Sequence, residues 1–224
     1  MENIKKTKKF IFTSPFQKEG QLRKVIYQAE ENSPLKYGET SFPIIPVING
    51  YVEENEKILI VCVVTEHSKL SEEYPNAARN YERFKTELTE LAQKKNLKFI
   101  LMDPIITPYG ENIKNHLNLY AKLITTVGDN EIIYADLTYG TKPFPIVEIM
   151  ALNYAYKLRK NTDIGSIVYG DFDPVTNVSG INDISPLFFM DAISSTMAHL
   201  KLKDPAERIK DILAIDINDE DTDE

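Results

Sequence analysis

Short apolar runs alternate along the chain with longer stretches in which apolar residues recur every three or four positions. Five runs, 9–13 (KFIFT), 57–65 (KILIVCVVT), 97–102 (LKFILM), 131–138 (EIIYADLT) and 164–170 (IGSIVYG), hold apolar residues at successive positions. A strand of that kind has both faces covered, which predicts a parallel sheet packed on each side. Between the runs, Ala78, Tyr81, Phe84, Leu88 and Leu91 mark one face of a helix over 74–95. The same spacing predicts helices over 109–127 and 144–159, and Ser185 followed by Pro186 opens another over 185–200. Strands and helices in alternation predict a doubly wound, mainly parallel α/β sheet of Rossmann-like type, with helices on both faces and right-handed crossovers.

Residues 20–52 break this rhythm. VIYQ reads as a short strand, ENSPLKYGET as a turn region, and SFPIIPVINGYV as a helix burdened by two prolines, so the pattern places none of them firmly. The expected organisation is one Rossmann-like domain over 1–203, then a short amphipathic stretch and acidic tail over 204–224. Composition fits an ordinary globular chain: 42% hydrophobic and 27% charged, without an apolar run of about 18 residues. The basic start MENIKKTKKFIF breaks off at TSPFQKEG and reads as a first strand, not a signal peptide. A single cysteine, Cys62, in mid-strand predicts a buried thiol, no disulfide and a cytoplasmic setting. The net charge is −8, but the nine residues 216–224 hold six acids and no base, which leaves about −2 on the remainder. Such a body has room for a local anion site, and it lacks the basic face a duplex nucleic acid requires.

In open α/β sheets, ligands bind beyond the carboxyl ends of the strands, near the point where strand order reverses. The segments that follow the predicted strands are TSPFQKEG, TEHSK, DPIITPYG, DLTYGTKPFP and DFDP. DLTYGTKPFP carries the most chemistry. Gly140 permits a tight turn, Thr138, Tyr139 and Thr141 offer hydroxyls, Lys142 adds a positive charge, and the free amides of the following helix start favour an anion. Residue types alone fit two readings equally: a cradle for phosphate, or Thr141 capping a helix beside a solvated lysine.

Other chemistries find less support. Neither G-x-x-x-x-G-K-[ST] nor G-x-G-x-x-G is present, which argues against a nucleotide triphosphatase or a dinucleotide oxidoreductase. His67, His116 and His199 lack metal-ligand spacing and read as surface or helix residues. Asp171 and Asp173 suit a cation or, more simply, a turn. No metal or cofactor is expected.

The stretch DLTYGTKPFP resembles the D-x-T-x-G-x-K signature of the CRISPR-associated Rossmann-fold (CARF) domains, through Asp136, Thr138, Gly140, Lys142 and Pro143. The similarity extends over roughly residues 8–200. It includes Thr13 and Ser14 after the first strand, TEHSK after the second, and a strand, hairpin and helix over 167–194. The chain departs from the family pattern in Tyr139, where His or Gly is common. The resemblance implies a homodimer with a symmetric pocket for cyclic tetra- or hexa-adenylate, the second messenger of type III CRISPR defence. The implied contacts are Thr13, Ser14, Phe16, Thr65, Tyr109, Thr138, Tyr139, Gly140, Thr141 and Lys142, with aromatic side chains stacking on bases. Some relatives are ring nucleases that cut the messenger without metal, by attack of a ribose 2′-OH that leaves 2′,3′-cyclic phosphate ends. Here Lys142 and Ser14 would carry that reaction. The sequence as given has no effector module after the Rossmann domain, which favours this reading. A non-catalytic sensor that signals to a separate effector is the alternative, and a chance likeness in an unrelated α/β protein is the third.

Overall fold

A computed structural model describes residues 5–66, 76–110, 112–173, 175–200, 207–209 and 211, with the side chains of Glu19, His199 and Leu200 left out. Segment TEHSK beyond Glu66, His67 and the tail 216–224 lie outside the described residues. By contact density the chain divides into two units, Met1–Ile184 and Ser185–Glu224.

The first unit carries one sheet, with eight strands among the described residues. Its path is β2-β8-β7-β6-β1-β3-β4, and β5 also pairs with β3. The central strands β1 (Thr7–Thr13), β3 (Lys57–Glu66) and β6 (Glu131–Asp136) are parallel and almost wholly buried, as their continuous apolar runs require. β7 (Asp163–Asp173) is parallel to β6, and β8 (Val178–Asp183) returns antiparallel to β7, closing a hairpin. Between β6 and β7 the register slips at Ile133/Tyr134, opposite Gly165. A Cβ at Gly165 would lie 2.5 Å from the Tyr134 ring, so only glycine lets that ring pass over the bulge.

Two pairs of helices cover the sheet. α1 (Ile44–Tyr51) and α2 (Asn76–Lys95) share a core with Phe10, Phe12, Ile58 and Ile60. α3 (Ile113–Thr126) and α4 (Pro143–Leu158) pack side by side on the opposite face, where Thr13 bonds to Glu148 of α4. Helices on both sides of a mainly parallel sheet make this a doubly wound, Rossmann-like α/β fold. The predicted helices are present with ends shifted by at most four residues; Asn112 caps α3 with its side chain.

Three elements differ from the sequence reading. Run 97–102 is buried on one side only, because β4 (Lys98–Leu101) is an edge strand, and Ile100 faces out. β5 (Ile105–Pro108) extends the same edge beside the end of β3 and was not foreseen. In 20–52, VIYQ contributes only the two-residue β2 (Tyr27–Gln28), paired with β8. SFPIIPVINGYV does form a helix: Pro46 sits in the first turn of α1, where an N–H would have no acceptor. No helix among the described residues is long and apolar enough to cross a membrane.

The second unit holds α5 (Ser185–Leu200), a 16-residue helix in which the rings of Phe188 and Phe189 meet edge to face at 5.4 Å.

Candidate anion-binding site at the strand switch point

From β1 the sheet is built outward through β3 and β4 on one side, and through β6 and β7 on the other. The reversal lies between β1 and β6, whose ends are level, with Phe12 paired to Asp136. The segments after Thr13 and after Asp136 therefore meet at the edge where doubly wound sheets bind ligands.

The turn is held from below by Asp136. Its Oδ1 accepts the Thr138 amide at 2.9 Å and a short bond from the Thr138 hydroxyl. That hydroxyl in turn accepts the Gly170 amide at 2.7 Å, tying the turn to β7. Gly140 then takes φ +119°, a conformation open to glycine, and its Cα lies against Phe144, which a Cβ would approach to 2.9 Å.

What leaves the turn unusual is the set of groups it does not use. The helix itself offers no free donor at its start: Pro143 and Pro145 lack an N–H, and the Phe144 amide bonds to the Thr141 carbonyl at 2.8 Å. The donors lie one step earlier, where the amides of Tyr139, Gly140, Thr141 and Lys142 find no partner among the described residues. Consecutive free amides around a glycine form a concavity suited to an anion. Lys142 occupies the capping position without a side-chain cap, and the enclosed Thr141 hydroxyl also has no partner. Thr141 therefore does not cap the helix. The Lys142 side chain is exposed and makes no ion pair or hydrogen bond among the described residues.

Behind the turn lie two buried carboxyls. Burial pushes the Asp136 pKa up to about 6, against the opposing bonds from Thr138 and the nearby Ile44 amide. Glu148 is pushed up to about 8, chiefly by burial and further by Asp136, while the Thr13 hydroxyl, donating to its Oε1 at 2.6 Å, works the other way. Near neutral pH Glu148 is held mostly as the neutral acid, while Asp136 is mostly ionised, its charge met by the Thr138 and Ile44 donors beneath the turn.

The remaining candidates separate into two groups. Thr13, Ser14 and Thr65 are fully buried. Ser14, expected to make a catalytic contact, is buried and donates its hydroxyl to the Ala77 carbonyl at 2.7 Å, which ties the end of β1 to α2. Thr13 is spent on Glu148, Thr138 on Asp136 and Gly170, and Thr65 stands beside Thr107 of β5. Thr13, Ser14 and Thr65 are thus buried supports of the strand ends, while Thr138 also borders the cleft beside the turn. Phe16 and Tyr109, named separately as stacking residues, are brought edge to face at 6.2 Å. Tyr139 is half-buried: its phenol bonds to that of Tyr27 and donates to the Ser41 carbonyl at 3.2 Å, leaving its ring as a wall.

Other sequence readings resolve simply. Asp173 accepts the Val175 amide and the Thr176 hydroxyl, an ordinary turn. His116 is a helix residue but not a surface one; it is buried, edge-on to Phe144. Cys62 is a buried free thiol. The described residues hold no cluster of three or more His, Cys, Asp or Glu able to take a metal. Sequence reasoning missed the cleft beside the turn, lined on one side by Leu22, Arg23 and Tyr27 and on the other by Gly170, Phe172 and Ser179. No protein-family model matches this chain, and no curated protein matches it.

Proposed function

We propose that the chain is a CARF-like protein that binds a cyclic oligoadenylate at the β1/β6 switch point, and that a homodimer supplies two copies of the site to one ring. The observation that carries this reading is the unspent turn: four amides, the Thr141 hydroxyl and Lys142, all without a partner among the described residues, on a backbone held by Asp136 and Phe144. A phosphodiester is the ligand that uses amides, hydroxyl and ammonium together. A ring of adenylates presents such groups in a repeat that two-fold symmetry matches.

Ring cleavage belongs to the same proposal and places modest demands on the protein. The ribose 2′-oxygen bonds to the adjacent phosphorus, the bond to the 5′-oxygen breaks, and the proton lost from the 2′-OH balances the one gained by the 5′-OH. The chain has to hold the three atoms in line and stabilise charge on the phosphorane. Lys142 is the group placed for the second task, while Ser14 acts by anchoring β1. The test is incubation of the full chain with cyclic tetra- and hexa-adenylate in EDTA, followed by chromatography. Linear products ending in 2′,3′-cyclic phosphate support cleavage, a bound intact ring supports a sensor, and the absence of both binding and cleavage overturns the reading.

A further inference from the structure

β4 and β5 lie along the outer side of β3, and no strand pairs beyond them among the described residues. An open strand edge is a template for another strand unless something blocks it. β5 is blocked. Pro104 and Pro108 carry no N–H, and Lys122 of α3 donates to the outward carbonyl of Ile106 at 2.7 Å.

β4 is not. The amides of Lys98 and Met102 turn inward to the Glu56 and Ile60 carbonyls, each at 2.9 Å. Backbone direction alternates along a strand, so the N–H and C=O of Phe99 and Leu101 turn outward, where they meet no partner among the described residues. Their side chains pack against the core shared with α1 and α2. Ile100, between them, projects from the other face of the sheet and is 42% exposed. The open stretch Phe99–Leu101 is apolar throughout and symmetric about Ile100.

We infer that this edge pairs antiparallel with the same edge of a second copy, across a two-fold axis at Ile100. In that register Phe99 of each chain exchanges both backbone bonds with Leu101 of the other. Ile100 meets its own copy on one face of the joined sheet, and Phe99 lies beside Leu101 on the other. Lys98 comes opposite Met102, so no charge is set against its like. A shift of one residue would put outward groups opposite inward ones and lose these bonds. The edge of a different protein would find the same backbone groups; the match of both bonding positions about one isoleucine singles out a second copy. β4 lies at the far side of β3 from β6 and its turn, so this contact is separate from the homodimer proposed above. It is small, of the weak class that buries less than about 1,200 Å², with a Kd on the order of 0.1–1 mM. Two different two-fold contacts on one chain continue an assembly, so this one joins the smaller species into larger ones.

Sedimentation of the full chain from about 10 µM to about 1 mM should show the average mass rising with concentration. Ile100→Lys sets two like charges on the axis. It should abolish that rise while leaving the species seen at low concentration, and the melting temperature, unchanged. Ile100→Cys should form an intermolecular disulfide on mild oxidation, because a non-hydrogen-bonded pair brings the Cα atoms to about 4.5 Å, within bridging range. Ile106→Cys is the control: that residue is 41% exposed on the same outer side. It stands about 20 Å along the edge from the axis and should stay reduced. A mass that does not rise, a rise indifferent to Ile100→Lys, a Cys at position 100 that stays reduced, or equal bridging at 100 and 106 would each overturn the contact.

Discussion

Lys142 and Glu148 sit on the two sides of one turn and are governed by opposite environments. Lys142 is exposed and unpaired, so its removal costs the fold nothing that the described contacts show. Lys142→Ala should leave the melting temperature without ligand unchanged and weaken ring binding by more than about tenfold, as expected for a charge-assisted contact of roughly 1.5–3 kcal/mol. If affinity holds and cleavage falls, the lysine acts on the transition state. Calorimetric titration and single-turnover assays tell these apart, and a variant normal in both would remove Lys142 from the site. For Glu148 the sign follows from the direction of its shift. Its pKa rises from 4.5 to about 8 on folding, so the folded protein holds the proton more tightly than the unfolded chain. Its contribution therefore favours folding at low pH and is lost as pH climbs from about 4.5 through about 8. Glu148→Gln keeps an acceptor for Thr13 and cannot ionise. Between pH 5 and 9, wild type should lose thermal stability relative to this variant; parallel melting curves would contradict the neutral-acid assignment.

The turn from Thr138 to Lys142 is one backbone unit, and Gly140 is its pivot. Any side chain there meets both a φ of +119° and the Phe144 ring at 2.9 Å. Gly140→Ala should cost about 1–3 kcal/mol, the range for a strained backbone residue, measured by denaturant unfolding. It should also weaken ring binding beyond what the lost stability explains, because the backbone that carries the four amides would have to shift. Gly38→Ala, where a Cβ would meet nothing within 4 Å and which lies away from the cleft, serves as the control and should change neither. An unaffected Gly140→Ala would mean that the turn is not the binding element.

The proposed homodimer requires a self-complementary surface, and the best candidate among the described residues is the pair α3 and α4. On α4, Ile146 (64% exposed) and Met150 lie one turn apart, and on the neighbouring α3 so do Ile113 and Leu117. From Pro143 to Tyr156 the one charged residue of α4 is the buried Glu148. In a two-fold contact, charges near the axis face their own kind; α4 exposes none from Pro143 to Tyr156, whereas α3 exposes Lys114 and Lys122, which sets the axis over α4. Both helices start at the ligand edge, so pairing here would bring two Lys142 side chains to one side. Light scattering should show a dimer, and Ile146→Glu should convert it to the 25.6 kDa monomer without lowering its melting temperature. A variant that stays dimeric would move the interface elsewhere.

Local order was legible because it depends on neighbours in the chain. Runs such as 57–65 and 131–138 are apolar at successive positions only if both faces are covered, so β3, β6 and the doubly wound class follow from the pattern. The turn was legible for the same reason, since its glycine, threonines and lysine are contiguous. What depended on distant partners was hidden. β2 exists through its register with β8, β5 by lying beside the end of β3, and α1 was obscured by a Pro46 that proves harmless only at that place in the helix. The hydroxyls show the limit most plainly. Thr13, Ser14 and Thr138 read as ligand contacts, yet each is claimed by a group distant in sequence, Glu148, Ala77 and Gly170 in turn, and Thr138 also by its near neighbour Asp136. A strand-end hydroxyl points toward whatever packs over it, and only the tertiary structure decides what that is. The same holds for the neutral Glu148, made so by burial, and for the cleft, whose walls come from segments more than a hundred residues apart.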